Sequence, residues 1–400
     1  LRGKLLLTII IAIIVIVAGG VAYYYFQNYI STGAGTIKIG VLIPLSPPGD
    51  YLAGQYMARG AQLAAEILNS KGGILGKKVE AIIEDDSGTP EKGVAGMRKL
   101  ILQDRVIAIA GQYHSSVALA VQDVCEQYGI PIIITGASAA RITEKHLNTT
   151  FRIHVIDPDR AKVWVDYIKK MGYKKIAMIM ELTDYGIGLA NWTQRWIQLE
   201  GINVTVKVWF IDRTATDFTP QLLEVKAWDP DFIINGGVGT PMYLIIKQAY
   251  SLGIIPRVPM LVTYDGPSRS KEFWDNVGDA GKDILFIAYY HPNMALTPLG
   301  EEFKKLYYQK YGEYPTYHVY NVYGAIMILA QAIEKARSLE PRAIIDALLK
   351  YEFTSWNGVV KFNRAEGVYW QQWSPPMMIV QYTKVGQSFD EARIIFTPAR

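Results

Sequence analysis

The chain is poor in the residues from which covalent frameworks and metal centres are built. Its 400 residues include one cysteine, Cys125. No disulfide can form within it, and a structural zinc or iron–sulfur site, which normally draws on several thiolates, is excluded. The five histidines, His114, His146, His154, His291 and His318, are scattered with no HExxH pair, so no metal and no cofactor are expected. An excess of charge is missing too. There are 41 Lys and Arg against 37 Asp and Glu, a formal +4. Arg2 and Lys4 supply two of the positive charges, and what remains lacks the clustered cations that phosphate contacts require, so nucleic acid is not an expected partner. No serine stands in G-x-S-x-G, and Cys125 lies on an apolar helical stripe without a base. Gly186-Ile-Gly188 has no third glycine in register for a dinucleotide. With no nucleophile–base pair in view, a binding function is expected and not an enzyme.

What the chain does have is apolar surface. Half of its residues are hydrophobic, and its length suits two or three domains of ~100 to 200 residues. Leu5 to Phe26 carries no charge and as a helix spans roughly 33 Å, enough for a bilayer's hydrocarbon core. Basic residues precede it and Tyr23, Tyr24 and Tyr25 close it, which predicts a cytoplasmic N-terminus, a membrane helix and an exterior location for the rest. A cleaved secretory signal is the competing reading, because Gly20-Val21-Ala22 offers small residues. A lipid anchor would need a cysteine directly after the apolar run and is excluded. Residues 1–35 are therefore expected to be anchor or signal plus a flexible tether. Sequons at Asn148, Asn191 and Asn203 are glycan acceptors if the exterior placement holds.

After the tether, short β-branched runs alternate with longer helical ones, the pattern of an α/β protein with parallel sheets. Ile37 to Leu45 reads as a strand covered on both faces. A helix over Tyr51 to Asn69 carries Tyr56, Gly60, Leu63 and Ile67 on one face, and a strand follows at Lys78 to Glu84. The unit returns, shorter, as a strand at Lys174 to Met180, a helix carrying Leu189, Trp192, Trp196 and Leu199, and a strand at Val204 to Phe210. Both tryptophans are expected in the core. A closer match pairs Val106 to Gly111, its helix and the strand Ile132 to Thr135 with Asp231 to Gly236, its helix and the strand Met260 to Thr263. Two lobes of like topology follow, joined near Val155 to Asp159, where Asp-Pro-Asp interrupts the pattern. Lobe 1 is assigned residues 36–156 and 289–365, and lobe 2 residues 157–288 and 366–400.

Ligands of open parallel sheets bind beyond the carboxyl ends of the strands, so the loops after strands are the places to search. Ser115 and Ser116 stand where a helix begins. They are either its N-cap or, with the helix N-terminus, an anion site. Gly136 lets backbone approach closely and Ser138 adds a hydroxyl, although turn chemistry alone explains Gly-Ala-Ser equally well. Asp265, before Gly266-Pro267, is either a turn aspartate or the partner of an ammonium. Tyr185 is either structural or a ring laid on the ligand. Asp85-Asp86-Ser-Gly-Thr89 is a strand-end turn.

The residues resemble a family at this point. Ile37-Lys-Ile-Gly-Val-Leu-Ile-Pro-Leu45, Ala-Gly-Gln at 53–55, Arg59-Gly60, Ala64-Ala-Glu66, Asn69 and Gly72-Gly-Ile-Leu-Gly76 are similar to the opening of type I periplasmic binding proteins of the leucine/isoleucine/valine-binding branch. The likeness continues through Asp85-Asp86, Gly129-Ile-Pro131, Thr183-Asp-Tyr-Gly-Ile-Gly188 and Pro315 to Gly324. It implies two Rossmann-like lobes with parallel sheets joined by a three-stranded hinge, and a monomeric extracytoplasmic receptor that delivers an amino acid, branched-chain or otherwise apolar, to the permease subunits of an ABC importer. It further implies that Ser115, Gly136 and Ser138 take the carboxylate, Asp265 the ammonium, and that Tyr185 covers the ligand. Gly236-Gly-Val-Gly-Thr240 departs from the pattern by lacking a tyrosine. Tyr113, His114, Tyr317 and His318 alter the side-chain pocket, which leaves an amide, urea or aromatic acid as the rival ligand. A sensor domain and a two-lobed transferase are the rival classes.

Overall fold

The computed structural model describes residues 35–398. The expected membrane segment lies outside them, and among the described residues no helix is long and apolar enough to cross a membrane. The first part of the chain runs through β1 (Ile37–Ile43), α1 (Tyr51–Ser70), β2 (Val79–Asp85), α2 (Pro90–Leu102), β3 (Ala108–Gly111), α3 (Ser115–Tyr128), β4 (Ile132–Ile134), α4 (Ala140–Glu144) and β5 (Thr150–Arg152). The second continues with α5 (Asp157–Met171), β6 (Lys175–Glu181), α6 (Asp184–Leu199), β7 (Thr205–Ile211), α7 (Thr219–Trp228), β8 (Phe232–Gly236), α8 (Thr240–Ser251), β9 (Met260–Val262), α9 (Ser270–Val277) and β10 (Leu285–Ala288). The last holds α10 (Pro298–Tyr311), α11 (Tyr317–Ala336), α12 (Pro341–Lys350), the hairpin β11 (Glu352–Ser355) and β12 (Gly358–Lys361), then β13 (Met378–Gln381) and β14 (Arg393–Phe396).

Two sheets result. The first is parallel throughout, ordered β2-β1-β3-β4-β5. The second, β14-β13-β10-β9-β8-β6-β7, repeats that order in its parallel strands β7-β6-β8-β9-β10 and adds β13 and β14 antiparallel at its edge. The internal repeat read from the sequence is thus one topology used twice. After β10 the chain returns to the first sheet, where α11 packs on α1 and over β3, then passes back to β13. It therefore crosses between the sheets three times.

Alternation along the strands explains why both faces are apolar. Val41 and Ala110 face one side of the first sheet, among the buried side chains of α1 and α11, while Leu42 and Ile109 face the other with Met97, Leu100, Val117 and Val121 of α2 and α3. Two expectations fail here. Asp157-Pro158-Asp159 does not interrupt the pattern but opens α5, because proline fits the first turn, where its missing N–H is not needed, and the acids suit the N-terminal dipole. Trp192 and Trp196 are only partly buried. Leu189, Ala190, Thr193 and Ile197 form the inward face of α6, and the tryptophans lie at its border beneath Arg195 and Lys162.

Helix α1 begins hard against the end of β1. A Cβ at Gly54 would lie 1.5 Å from the Pro44 carbonyl oxygen, a backbone atom that cannot rotate away. Gly54→Ala is expected to destabilise the protein by about 3 kcal/mol or more in urea unfolding, at or beyond the upper end of ordinary overpacking. A loss under about 1 kcal/mol would show that α1 is not held so closely.

Candidate functional site

Every parallel strand from β3 to β10 ends at one cavity in the cleft between the sheets. Tyr113, His114, Ser115 and Ser116 follow β3, Gly136 follows β4, and His154 and Arg160 follow β5. Facing them are Glu181, Thr183 and Tyr185 after β6, Arg213 after β7, Val238 after β8, Tyr264 after β9 and Tyr289 after β10, while His318 enters from the first turn of α11. The cavity volume is about 30 Å³, so the walls are drawn close together. Val238 is the one aliphatic side chain of the lining; apart from Gly136, the rest are aromatic or polar.

The first-sheet wall presents the N-terminus of α3 and two hydroxyls to the cavity. Ser115 and Ser116 are the first two residues of α3 and not its cap. The N-cap position belongs to His114, whose side chain makes no capping bond, which leaves the first-turn N–H groups to whatever enters the cavity. Ser115 Oγ accepts from the N–H groups of Ser138 and Ala139 at 3.3 and 3.2 Å, so its own hydroxyl hydrogen remains to be donated. Ser116 Oγ accepts from Asp184 N of the facing lobe at 3.2 Å. Gly136 is required by its neighbour, because a Cβ there would lie 2.9 Å from Tyr113 Cδ2. Ser138 does not line the cavity. Its Oγ is buried without a hydrogen-bond partner near the equally unpartnered Asp157 carboxylate, which it influences electrostatically without reaching hydrogen-bond geometry.

The expected ammonium partner is also set back. Asp265 does not line the cavity: His318 Nε2 stands 3.0 Å from Asp265 Oδ1, at ion-pair distance but off the hydrogen-bond angle, so both atoms lack a hydrogen-bond partner. The carboxylate that does line the cavity is Glu181, at the end of β6. Burial pushes its carboxyl up to about 7 against the opposing pull of Arg213 and of the Val238 N–H, which Oε1 accepts at 2.8 Å. The tyrosine missing from 236–240 is replaced from the next strand, where Tyr264 lines the cavity and accepts Gly239 N–H at 2.8 Å. Tyr185, Tyr113 and His318 line the cavity.

Charge in the cleft is fixed by burial. His114 and His154 are held well below the ordinary imidazole range by desolvation and by Arg213 and Arg160 respectively, so both are neutral. The lobes are tied by a desolvated pair: Arg269 Nη2 reaches Asp50 Oδ2 at 3.2 Å with both side chains 2% exposed, and Arg269 Nε reaches Glu272 at 2.8 Å. Burial alone would lower the Arg269 guanidinium, but the attraction of Asp50 and Glu272 outweighs it and raises it. Asp50 also accepts from Tyr113 Oη at 3.0 Å, and its N–H donates to His114 Nε2 at 3.1 Å, so the same contact positions two residues of the cavity wall. Arg160, Glu181, Arg213, His154 and Tyr289 are not singled out by the sequence, whereas Tyr264 opens one of its candidate loops. Glu181 is the last residue of β6 and the others come after strand ends, so a search of every strand's carboxyl end and the segment after it includes them.

The periplasmic binding protein family profile matches residues 36–387. The chain is 29% identical over 328 residues, 78% of its length and 80% of the relative's, to "Leu/Ile/Val-binding protein homolog 7" of Brucella suis. It is 27% identical over 342 residues, 84% of its length and 88% of the relative's, to the leucine-, isoleucine-, valine-, threonine- and alanine-binding protein of Pseudomonas aeruginosa. Its structure is similar to that of a leucine-binding protein LivK of Thermotoga maritima, with a TM-score of 0.77 and 25% identity over 90% of this chain and 97% of that one.

Two outcomes follow from the geometry. Glu181 holds its proton more tightly in the folded chain than at its ordinary 4.5. Its contribution to stability is therefore present at low pH and lost as pH rises through about 7. Glu181→Gln should remove a fall of about 3 kcal/mol across that window; identical slopes in urea titrations of the two proteins would contradict it. Arg269→Met should let the lobes part, so that amides 115–117 and Gly239 exchange faster with deuterium while β1 and β8 keep their protection. Unchanged exchange at both places would mean that the pair does not hold the cleft shut.

Proposed function

The chain belongs to the periplasmic binding protein family, and on that premise we propose that it is the extracytoplasmic solute receptor of an ABC importer, capturing an amino acid between two lobes and presenting the closed form to the membrane permease. The lobes are 36–156 with 289–365, and 157–288 with 366–400. The 5–26 segment tethers the receptor to the membrane or is cleaved from it, and the receptor acts as a monomer. The family consists of solute-binding proteins, and this reading assigns no catalytic step.

The observation that carries it is the set of buried polar atoms left without partners around one cavity at the carboxyl ends of both sheets: Arg160 Nε, Arg213 Nε, Tyr289 Oη and both ring nitrogens of His318. Buried polar groups in folded proteins are nearly always paired, so such a cluster is the imprint of a polar solute. In this account the ligand's carboxylate sits at the N-terminus of α3, with Ser115 and Ser116 donating, Gly136 approaching closely and Ser138 supporting from behind. Tyr185 and Tyr113 cover the ligand, and Glu181, not Asp265, faces its ammonium. Closure selects the state in which the walls meet on the solute.

The named relatives bind leucine and other small amino acids, which favours an aliphatic ligand. The lining, aromatic and polar except for Val238 and Gly136, favours the second reading, a solute with a polar or aromatic side chain. Mass spectrometry of small molecules released from the denatured protein decides between them, and release of no carboxylate-bearing solute, together with no thermal response to any amino acid, would overturn the proposal. Ser115→Ala should weaken binding about tenfold, the loss of one hydrogen bond to a charged group; unchanged affinity would remove α3 from the site.

A further inference from the structure

Arg160 is a buried cation with no carboxylate at ion-pair distance among the described residues, although, against the lowering by burial, the neighbouring tyrosines and the more distant Asp157 and Asp265 raise its guanidinium. It is 1% exposed and lines the cavity from the first turn of α5. Its Nη1 donates to Tyr185 Oη at 3.1 Å and its Nη2 to His154 Nε2 at 2.9 Å. Both partners are neutral. Because His154 accepts on Nε2, its ring carries the proton on Nδ1, 3.0 Å from Tyr317 Oη. The rings of Tyr185 and Tyr289 flank the guanidinium at 5.4 and 5.3 Å. Nε has no partner. Asp157 and Asp265 act on it through space, but among the described residues none forms an ion pair with it.

The other arginines of this region have a carboxylate or a carbonyl among their partners, although Arg213 Nε also makes no hydrogen bond. Arg269 has Asp50 and Glu272. Arg213 Nε lies 4.0 Å from Glu181, while its Nη1 donates to the Gly88 carbonyl at 3.2 Å. Arg152 is also fully buried, but it lies away from the cavity and spends its guanidinium on the Ala139 carbonyl at 2.9 Å, Thr143 Oγ1 at 2.7 Å and Gln372. Burial lowers its guanidinium to about 9, but it does not line the cavity. A guanidinium held at contact distance by rings and neutral acceptors, out of water and lining a cavity, still has in its unpartnered Nε a donor to give to an anion at ion-pair distance.

We propose that this anion is brought by the ligand: the solute is an amino acid with a second acidic group on its side chain, and Arg160 is the residue that selects for it. The inference rests on the amino-acid reading above. The α-carboxylate goes to α3 and the ammonium to Glu181, and the side-chain carboxylate takes Arg160 between the Tyr185 and Tyr289 rings. The planar fork suits a carboxylate where an ammonium would not.

Calorimetry on the full protein, stripped of ligand by unfolding and refolding, tests it with matched probes: glutamate against glutamine, aspartate against asparagine, and leucine. One acidic amino acid should bind at least tenfold tighter than its amide. Arg160→Met should abolish that preference, bringing acid and amide within about twofold of each other, and Arg160→Lys should retain part of it. If Arg160→Met does not fold, the wild-type pairs decide alone. Tighter binding of leucine or of the amides to wild type overturns this inference and leaves the amino-acid receptor standing, as does a preference for the acid that survives in Arg160→Met. Binding of none of the probes overturns both.

Discussion

One buried ion pair orders the cleft. Asp50 and Arg269 come from different lobes, and both lie out of water. Removing two charges from water costs several kcal/mol per ion unless they meet in good geometry with their other bonding positions filled. Those conditions hold only while the two sheet edges face each other closely, so the pair reports a closed state. Its satellites carry the constraint into the site: Asp50 accepts from Tyr113 and donates its N–H to His114, and a Cβ at Gly136 would collide with Tyr113. The first-sheet wall, from the β3 loop to the β4 loop, is thereby registered against the second lobe by an interaction that touches no solute.

The same closure explains the electrostatic character of the cavity. With water largely excluded, histidines beside arginines are neutral, Glu181 keeps a high proton affinity, and the fixed charges are the guanidinium groups. A cavity of this kind discriminates through hydrogen bonds and charge more sharply than through apolar contact, because a buried polar group left unpaired costs more than a missing methylene.

Much of this was legible in the sequence. Period-two and β-branched runs gave nearly every strand of the two parallel sheets, and the repeat of strand, helix and strand gave the shared order of those sheets. The loops after β3, β4, β6 and β9, where the sequence directs the search, all contribute residues to the cavity lining. What failed had physical causes. Ser115 and Ser116 were weighed as caps because serine favours that position, but the helix begins one residue earlier than the hydroxyls suggest, with His114 in the cap position. Asp265 is expected at the ligand, but it is not among the residues lining the cavity, where His318, distant in sequence and 3.0 Å from it, is found instead. Trp192 and Trp196 shared a helical stripe with Leu189, but that stripe lies at the border of the buried face. Arg160 was invisible because its significance depends on three-dimensional facts, namely burial, neutral neighbours and an unpartnered Nε.

The central claim is that the two lobes close on a small solute. Small-angle scattering tests it directly, by comparing the protein as purified, the protein stripped of small molecules, and the stripped protein with the released fraction restored. The account predicts a larger radius of gyration on stripping that returns to the purified value when the fraction is added back. The same radius in all three states would contradict it.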